Sequence, residues 1–261
     1  MPDRWDAAEL YEPYVGRWSR LVAQAFLEWL AVPPAAAWLD VGCGTGALSA
    51  TALALGSPRS LVGVDRSASY VEHARRVILD PRASFSEGDA QQLPFPDKAF
   101  DAVISGLVLN FVPEPARAAA EMARLTRPGG VTAAYVWDYA GEMQLMRRFW
   151  DAAVAEDPAA AELDEGKRFP TAERDVLAAL FRGAGLQVVE TRAIDVPTVF
   201  VNFDDYWSPF LGGQAPAPGY AMSLTEESRV RLRERLRQTL PTDADGSIHL
   251  VARAWAVRGR A

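Results

Sequence analysis

The sequence predicts an α/β fold, a parallel sheet with helices on both of its faces. Short apolar runs recur near 37–41, 60–64, 83–86, 101–105 and 131–137 with little alternation, as strands buried on both faces require. Stretches of helical periodicity separate them at 47–55, 67–79 and 113–126. Such alternation implies right-handed crossovers and parallel pairing. Several of the runs also end on glycines or carboxylates, at the strand ends where open α/β sheets bind ligands. A length of 261 residues suits one domain, 1–261, carrying insertions.

Residues 1–35 set Leu21, Ala25, Trp29 and Val22, Phe26, Leu30 at helical spacing, and Pro33-Pro34 ends that helix. Trp38-Leu39-Asp40-Val41-Gly42-Cys43-Gly44-Thr45-Gly46-Ala47 then reads as a buried strand, a glycine-rich turn and the opening of a helix. Three alternate glycines clear every Cβ from one side of the turn, so a ligand can approach backbone closely. The next helix points its partly positive N-terminus at that ligand. A cofactor with a nucleoside and a charged tail fits. So does a dinucleotide, because Gly42-x-Gly44-x-x-Ala47 matches its loose fingerprint. Asp65 ends the second run, where an acid takes a pair of ribose hydroxyls. Gly88-Asp89-Ala90-Gln91 ends the third, Phe100-Asp101-Ala102-Val103-Ile104-Ser105 is the fourth, and Arg127-Pro128-Gly129-Gly130 precedes the fifth.

As a set, Leu39-Asp-Val-Gly-Cys-Gly-Thr-Gly46, Val64-Asp65, Gly88-Asp-Ala90, Phe100-Asp-x-Val103 and Arg127-Pro-Gly-Gly130 resemble the class I S-adenosylmethionine (SAM)-dependent methyltransferases, in the small-molecule branch that includes quinone-biosynthesis enzymes. The resemblance covers about 36–137 and implies a Rossmann-like seven-stranded, mostly parallel sheet. Residues 36–137 become the SAM-binding core, 1–35 a helical cover, and 138–170 and 197–241 insertions over the acceptor. It implies that Gly42, Cys43, Gly44 and Gly46 cradle the methionine part of SAM, organised by Asp40, and that Asp65 binds the ribose with Arg66 flanking the adenine. Asp89 accepts from the adenine amino group beside the Ala90 amide and Gln91, and Ser105 and Leu107 lie next to the sulfonium. In such enzymes an N-terminal helix lies over the cofactor, so Tyr14 or Arg17 reaches its carboxylate. Asn110 and Phe111 face the acceptor, unless Asn110 only caps a helix. Asp101 opens the fourth strand at the opposite end of the sheet and has a structural part.

Beyond Trp137 about 30 residues precede a helix at 171–183, and Leu186–Val196 is a sixth strand. Phe200, Phe203, Tyr206, Trp207 and Phe210 next to a glycine/proline loop suggest a cap over the acceptor or ordinary packing. A helix at 223–240 opens on Ser223-x-x-Glu226. Its arginines wind around it and fit a solvated helix. Ser247–Arg258 is the seventh strand, which the resemblance places antiparallel between the fifth and sixth.

A net charge of −7 disfavours long nucleic acid as a partner, and the resemblance implies a small-molecule acceptor. The single cysteine and the lack of a leader-like start or membrane-length apolar run fit a soluble, cytoplasmic protein without membrane association. No ligand cluster suggests a metal. The histidines are His73 and His249, so the general base is His249, Tyr14 or Tyr139, with Tyr11, Asp138 and Glu142 as further acids or phenols, or is absent altogether. The oligomeric state is open. Alternatives are an NAD(P)-dependent oxidoreductase and a non-catalytic SAM-binding protein.

Overall fold

A computed structural model describes residues 15–213 and 215–261; the expectations on Tyr11 and Tyr14 lie outside the described residues. Seven strands, β1 (Ala37–Val41), β2 (Ser60–Asp65), β3 (Ala83–Glu87), β4 (Phe100–Gly106), β5 (Thr126–Trp137), β6 (Gln187–Phe200) and β7 (Ile248–Arg260), form one sheet in the order β3-β2-β1-β4-β5-β7-β6. Strands β1 to β5 pair in parallel, and β7 runs antiparallel to β5 from Val131 opposite Arg260 to Trp137 opposite Ala254. Every residue of β1 is buried, which is why its run shows no alternation. Along β7, Leu250, Ala252, Ala254 and Ala256 are buried while intervening residues are more open. Arg253 pairs with Asp195 at 2.7 Å and Arg258 with Glu190 at 2.6 Å. These pairs advance along β7 as they retreat along β6, the sign of antiparallel neighbours.

The helices are α1 (Arg17–Leu30), α2 (Ala47–Leu55), α3 (Ala68–Val77), α4 (Pro115–Leu125), α5 (Gln144–Glu156), α6 (Glu165–Arg168), α7 (Arg174–Gly183), α8 (Phe203–Trp207), α9 (Pro216–Ser223) and α10 (Glu226–Thr239). Two helices and one strand illustrate where the structure differs from the sequence reading. Residues 144–156, to which the sequence assigned no element, form α5, because Leu145, Met146, Phe149, Trp150, Ala152 and Ala153 make one buried stripe. The cap of α10 is Thr225, whose hydroxyl accepts from Ser228 N–H at 3.2 Å, whereas Ser223 ends α9. The Arg127-Pro-Gly-Gly turn lies inside β5, where the pairing with β4 shifts between Phe100 and Ala102.

The chain divides into two compact units. The first holds 19–137, 171–194 and 254–261, with β1 to β5 and the glycine turn. At the opening of β4, Asp101 accepts from the Ala37 amide at 2.7 Å and pairs with Arg127 at 2.9 Å and Arg59 at 3.2 Å. Burial pushes its carboxyl up, but those partners hold it below the usual range. The other unit holds 138–170, 195–253 and, of the described residues before Ser19, 15–18. Phe149 stacks on Phe210 at 4.4 Å and Tyr206 donates to the Leu145 carbonyl at 3.0 Å. Phe200, Phe203, Tyr206, Trp207 and Phe210 are all buried, so these aromatic residues are the core of that unit.

Candidate cofactor and acceptor site

Gly42, Gly44 and Gly46 have φ of +74°, +52° and +91°, the left-handed region that glycine alone enters freely. Gly42 is also held by space, since a Cβ there would lie 2.4 Å from the Val108 side chain. At Gly44 a Cβ would meet nothing within 4 Å. The amides of Gly42 and Cys43 donate to the Val64 carbonyl at 2.7 and 3.0 Å, and Gly46 N–H donates to the Cys43 carbonyl at 2.8 Å. These amides hold the turn in shape, and open space is what the turn presents to a ligand. The Cys43 thiol is buried and its pKa is pushed far up by that burial and by Asp40 and Asp65, so it is inert.

Asp40 lies within β1 and is fully buried. Its Oδ2 accepts from the Ser49 hydroxyl at 2.6 Å, and its Oδ1 is buried without a partner. Burial raises its pKa to about 7; the Ser49 bond opposes the rise and Asp65 adds to it. A half-satisfied buried carboxyl is costly unless a donor or cation completes it. Ser49, which the sequence reading missed, holds the Asp40 carboxyl; the signal was one hydroxyl at a buried position of the apolar helix α2. Asp65, at the end of β2, accepts from Gly44 N–H at 2.9 Å on Oδ2 and from Ser67 N–H at 2.8 Å on Oδ1. Each oxygen keeps lone-pair capacity for a ribose hydroxyl.

Asp89 is exposed beyond β3, with Ala90 beside it, and accepts from Gln91 through backbone at 2.9 Å and side chain at 3.1 Å. Those bonds hold its carboxyl below the usual range. Gln91 is a brace, since its Oε1 also accepts from Glu114 N–H at 3.0 Å. Arg66 is exposed. The Ser105 hydroxyl is buried and donates to the Val41 carbonyl at 2.8 Å, tying β4 to β1. Leu107 takes φ +62°, strained for a branched residue, and its N–H donates to the Tyr135 carbonyl at 2.8 Å.

In the other unit, Arg17 Nη1 pairs with Asp205 at 3.1 Å, and the guanidinium lies 4.4 Å from the Trp18 ring and 4.9 Å from Phe200. Its Nε and Nη2, the edge that matches a carboxylate fork, are buried without partners. Tyr139 is buried with its ring 5.5 Å from Phe169, a packing position. His249 is 59% exposed, 3.7 Å from Asp243, and so is a surface group. Asp138 and Glu142 cap and brace their own turn through Glu142 N–H at 3.0 Å and Gln144 at 2.8 Å. The general-base expectations on Tyr139 and His249 therefore find no support in their surroundings. Among the described residues no helix is long and apolar enough to cross a membrane, and no group of three or more metal-ligating side chains is present.

Residues 39–134 match the model of a methyltransferase domain family. A 2-methyl-6-phytyl-1,4-hydroquinone methyltransferase of Synechocystis is 30% identical over 70% of this chain and 57% of its own length. The core is similar to the class I SAM-dependent methyltransferases. A demethylmenaquinone methyltransferase of Renibacterium salmoninarum is 40% identical over 44% of this chain and 45% of its own. The chain thus spans about half the length of the curated relatives it matches. The structure of a Haemonchus contortus phosphoethanolamine N-methyltransferase with SAM shares the fold, with a TM-score of 0.60, 15% identity, and coverage of 97% of this chain and 56% of that one. The methyltransferase core also differs from the six-strand dinucleotide order by the antiparallel strand set between β5 and β6. SAM is the cofactor of this family, and the open face at Gly44 and the unpaired Asp40 Oδ1 fit its aminoacyl part.

Proposed function

We propose that this protein transfers a methyl group to a small, apolar or aromatic acceptor at oxygen, nitrogen or carbon. The observation that carries the reading is Asp40, whose Oδ1 waits without a partner beside the glycine turn. A SAM ammonium completes that carboxyl, with Ser49 fixing its orientation from the other oxygen. The lone pairs left on Asp65 accept the ribose hydroxyls, and Asp89 with the Ala90 amide reads the adenine edge, flanked by Arg66. Bound SAM supplies a methyl group already activated on sulfonium and departs as S-adenosylhomocysteine (SAH). The protein's remaining work is to exclude water and hold a nucleophile in line, which can contribute roughly 7–11 kcal/mol.

Two relatives that act on quinone-type compounds by name support an aromatic acceptor. The test is SAH release, read by mass spectrometry, with SAM and a panel of reduced quinones, phenols and amines. At least one acceptor should raise release above the acceptor-free control. Tight SAM binding with no release for any acceptor would leave a non-catalytic binding protein.

A further inference from the structure

Just past β4, the three-residue turn Leu109–Phe111 holds a polar group that no element uses. Asn110 is 8% exposed, and both its Nδ2 and its Oδ1 are buried without a partner. A cap would explain an asparagine here, but the next helix, α4, begins at Pro115 after Glu114 and takes no side-chain cap. The turn closes by itself through Phe111 N–H to the Val108 carbonyl at 2.8 Å. An amide with neither bond made costs stability, and an apolar residue of similar size would not carry that cost.

The surroundings tie this residue to the ligand end of the sheet. Val108 packs on Gly42, so the turn abuts the glycine turn directly. Leu107, at φ +62°, is locked to Tyr135 on one side, and Glu114 is locked to Gln91 on the other. The strained entry and the orphaned amide therefore sit in one braced loop at the mouth of β4, the combination expected where a ligand completes the structure.

We infer that Asn110 forms the acceptor subsite for a neutral hydroxyl, of phenol or hydroquinone type. A carboxamide offers one acceptor and one donor with no charge. A neutral hydroxyl matches both, donating to Oδ1 while its oxygen accepts from Nδ2. An anion would leave Oδ1 opposed, and an ammonium would leave Nδ2 opposed. Asn110 orients the acceptor and takes no proton. This subsite deepens the methyl-transfer reading and rests on it.

The test uses the full chain loaded with SAH, and 2-methyl-1,4-naphthohydroquinone kept reduced under anaerobic conditions as probe, with its dimethyl ether as the control without O–H. The wild-type protein should bind the hydroquinone at least tenfold better than the ether. Asn110→Leu should lose that preference, keep its SAH affinity within twofold, and unfold no earlier than the wild type. Asn110→Ala serves as the second variant: it should lose the same preference without placing a branched side chain in the turn. Equal binding of probe and ether by the wild type, an unchanged preference in Asn110→Leu, or a parallel loss of SAH affinity would each overturn the subsite. Methyl transfer is read separately. A wild type that prefers the hydroquinone but transfers no methyl keeps the subsite and loses the transfer reading; one that transfers equally well with Asn110→Leu does the reverse.

Discussion

Asp40 carries a buried carboxyl oxygen without a partner, and that oxygen makes a separable prediction. The Asp40 carboxyl titrates near 7 in the folded protein against 3.8 for an ordinary aspartate. Between those values the folded state holds a proton that the unfolded state lacks, so this stabilisation is full below about pH 4 and is lost as the pH rises through about 7. At about 1.36 kcal/mol per unit the loss reaches about 4 kcal/mol. Urea midpoints measured from pH 4 to 8 should therefore fall more steeply for the wild type than for Asp40→Asn; superimposable curves would mean that Asp40 does not titrate in this window. Asp40, Asp65 and Asp89 were legible in the sequence because their strand-end positions are encoded locally. The buried direction of the Ser105 hydroxyl was not, since it depends on the Val41 carbonyl 64 residues away.

At the scale of elements, the glycine turn separates two kinds of damage. Gly42→Ala meets both a left-handed φ, about 1–2 kcal/mol, and the Val108 side chain, for which overpacking typically costs about 1–3 kcal/mol. Adding Val108→Ala should restore the second part and not the first, which denaturation of the single and double variants will show. Gly44→Ala has the same backbone cost but no neighbour within 4 Å, and its methyl projects into space left for a ligand. It should lose more SAH affinity, by calorimetry, than stability; a loss of stability alone would place the ligand elsewhere. The parallel core could be read because each strand is short and flanked by turn residues. Helix α5 could not, although its apolar spacing was present, because no recognised turn or cap announced its start: Met143 precedes it without a side-chain bond. Strand β6 likewise runs on to Phe200, past Pro197, where Ile194, Val196, Thr198 and Phe200 keep one face buried.

For the whole molecule the decisive question is which ligand the fold was built to hold, and thermodynamic linkage answers it without any assay of turnover. A ligand that binds only the folded chain adds roughly 2.7 kcal/mol at a hundred times its dissociation constant. For a chain of this size that raises the unfolding midpoint by about 2–4 °C per kcal/mol. SAM and SAH in such excess should each raise the midpoint, and NAD at the same concentration should not. The distinction has a structural root. Asp65 at the end of β2 suits any ribose, so it cannot separate the ligands. The unpaired Asp40 Oδ1 does, because it calls for a donor or a cation next to the glycine turn, where a dinucleotide would bring its negative pyrophosphate. Asp40→Asn should therefore shrink the shift given by SAM. A shift with NAD that Asp40→Asn enlarges would assign the turn to a pyrophosphate and overturn the cofactor placement.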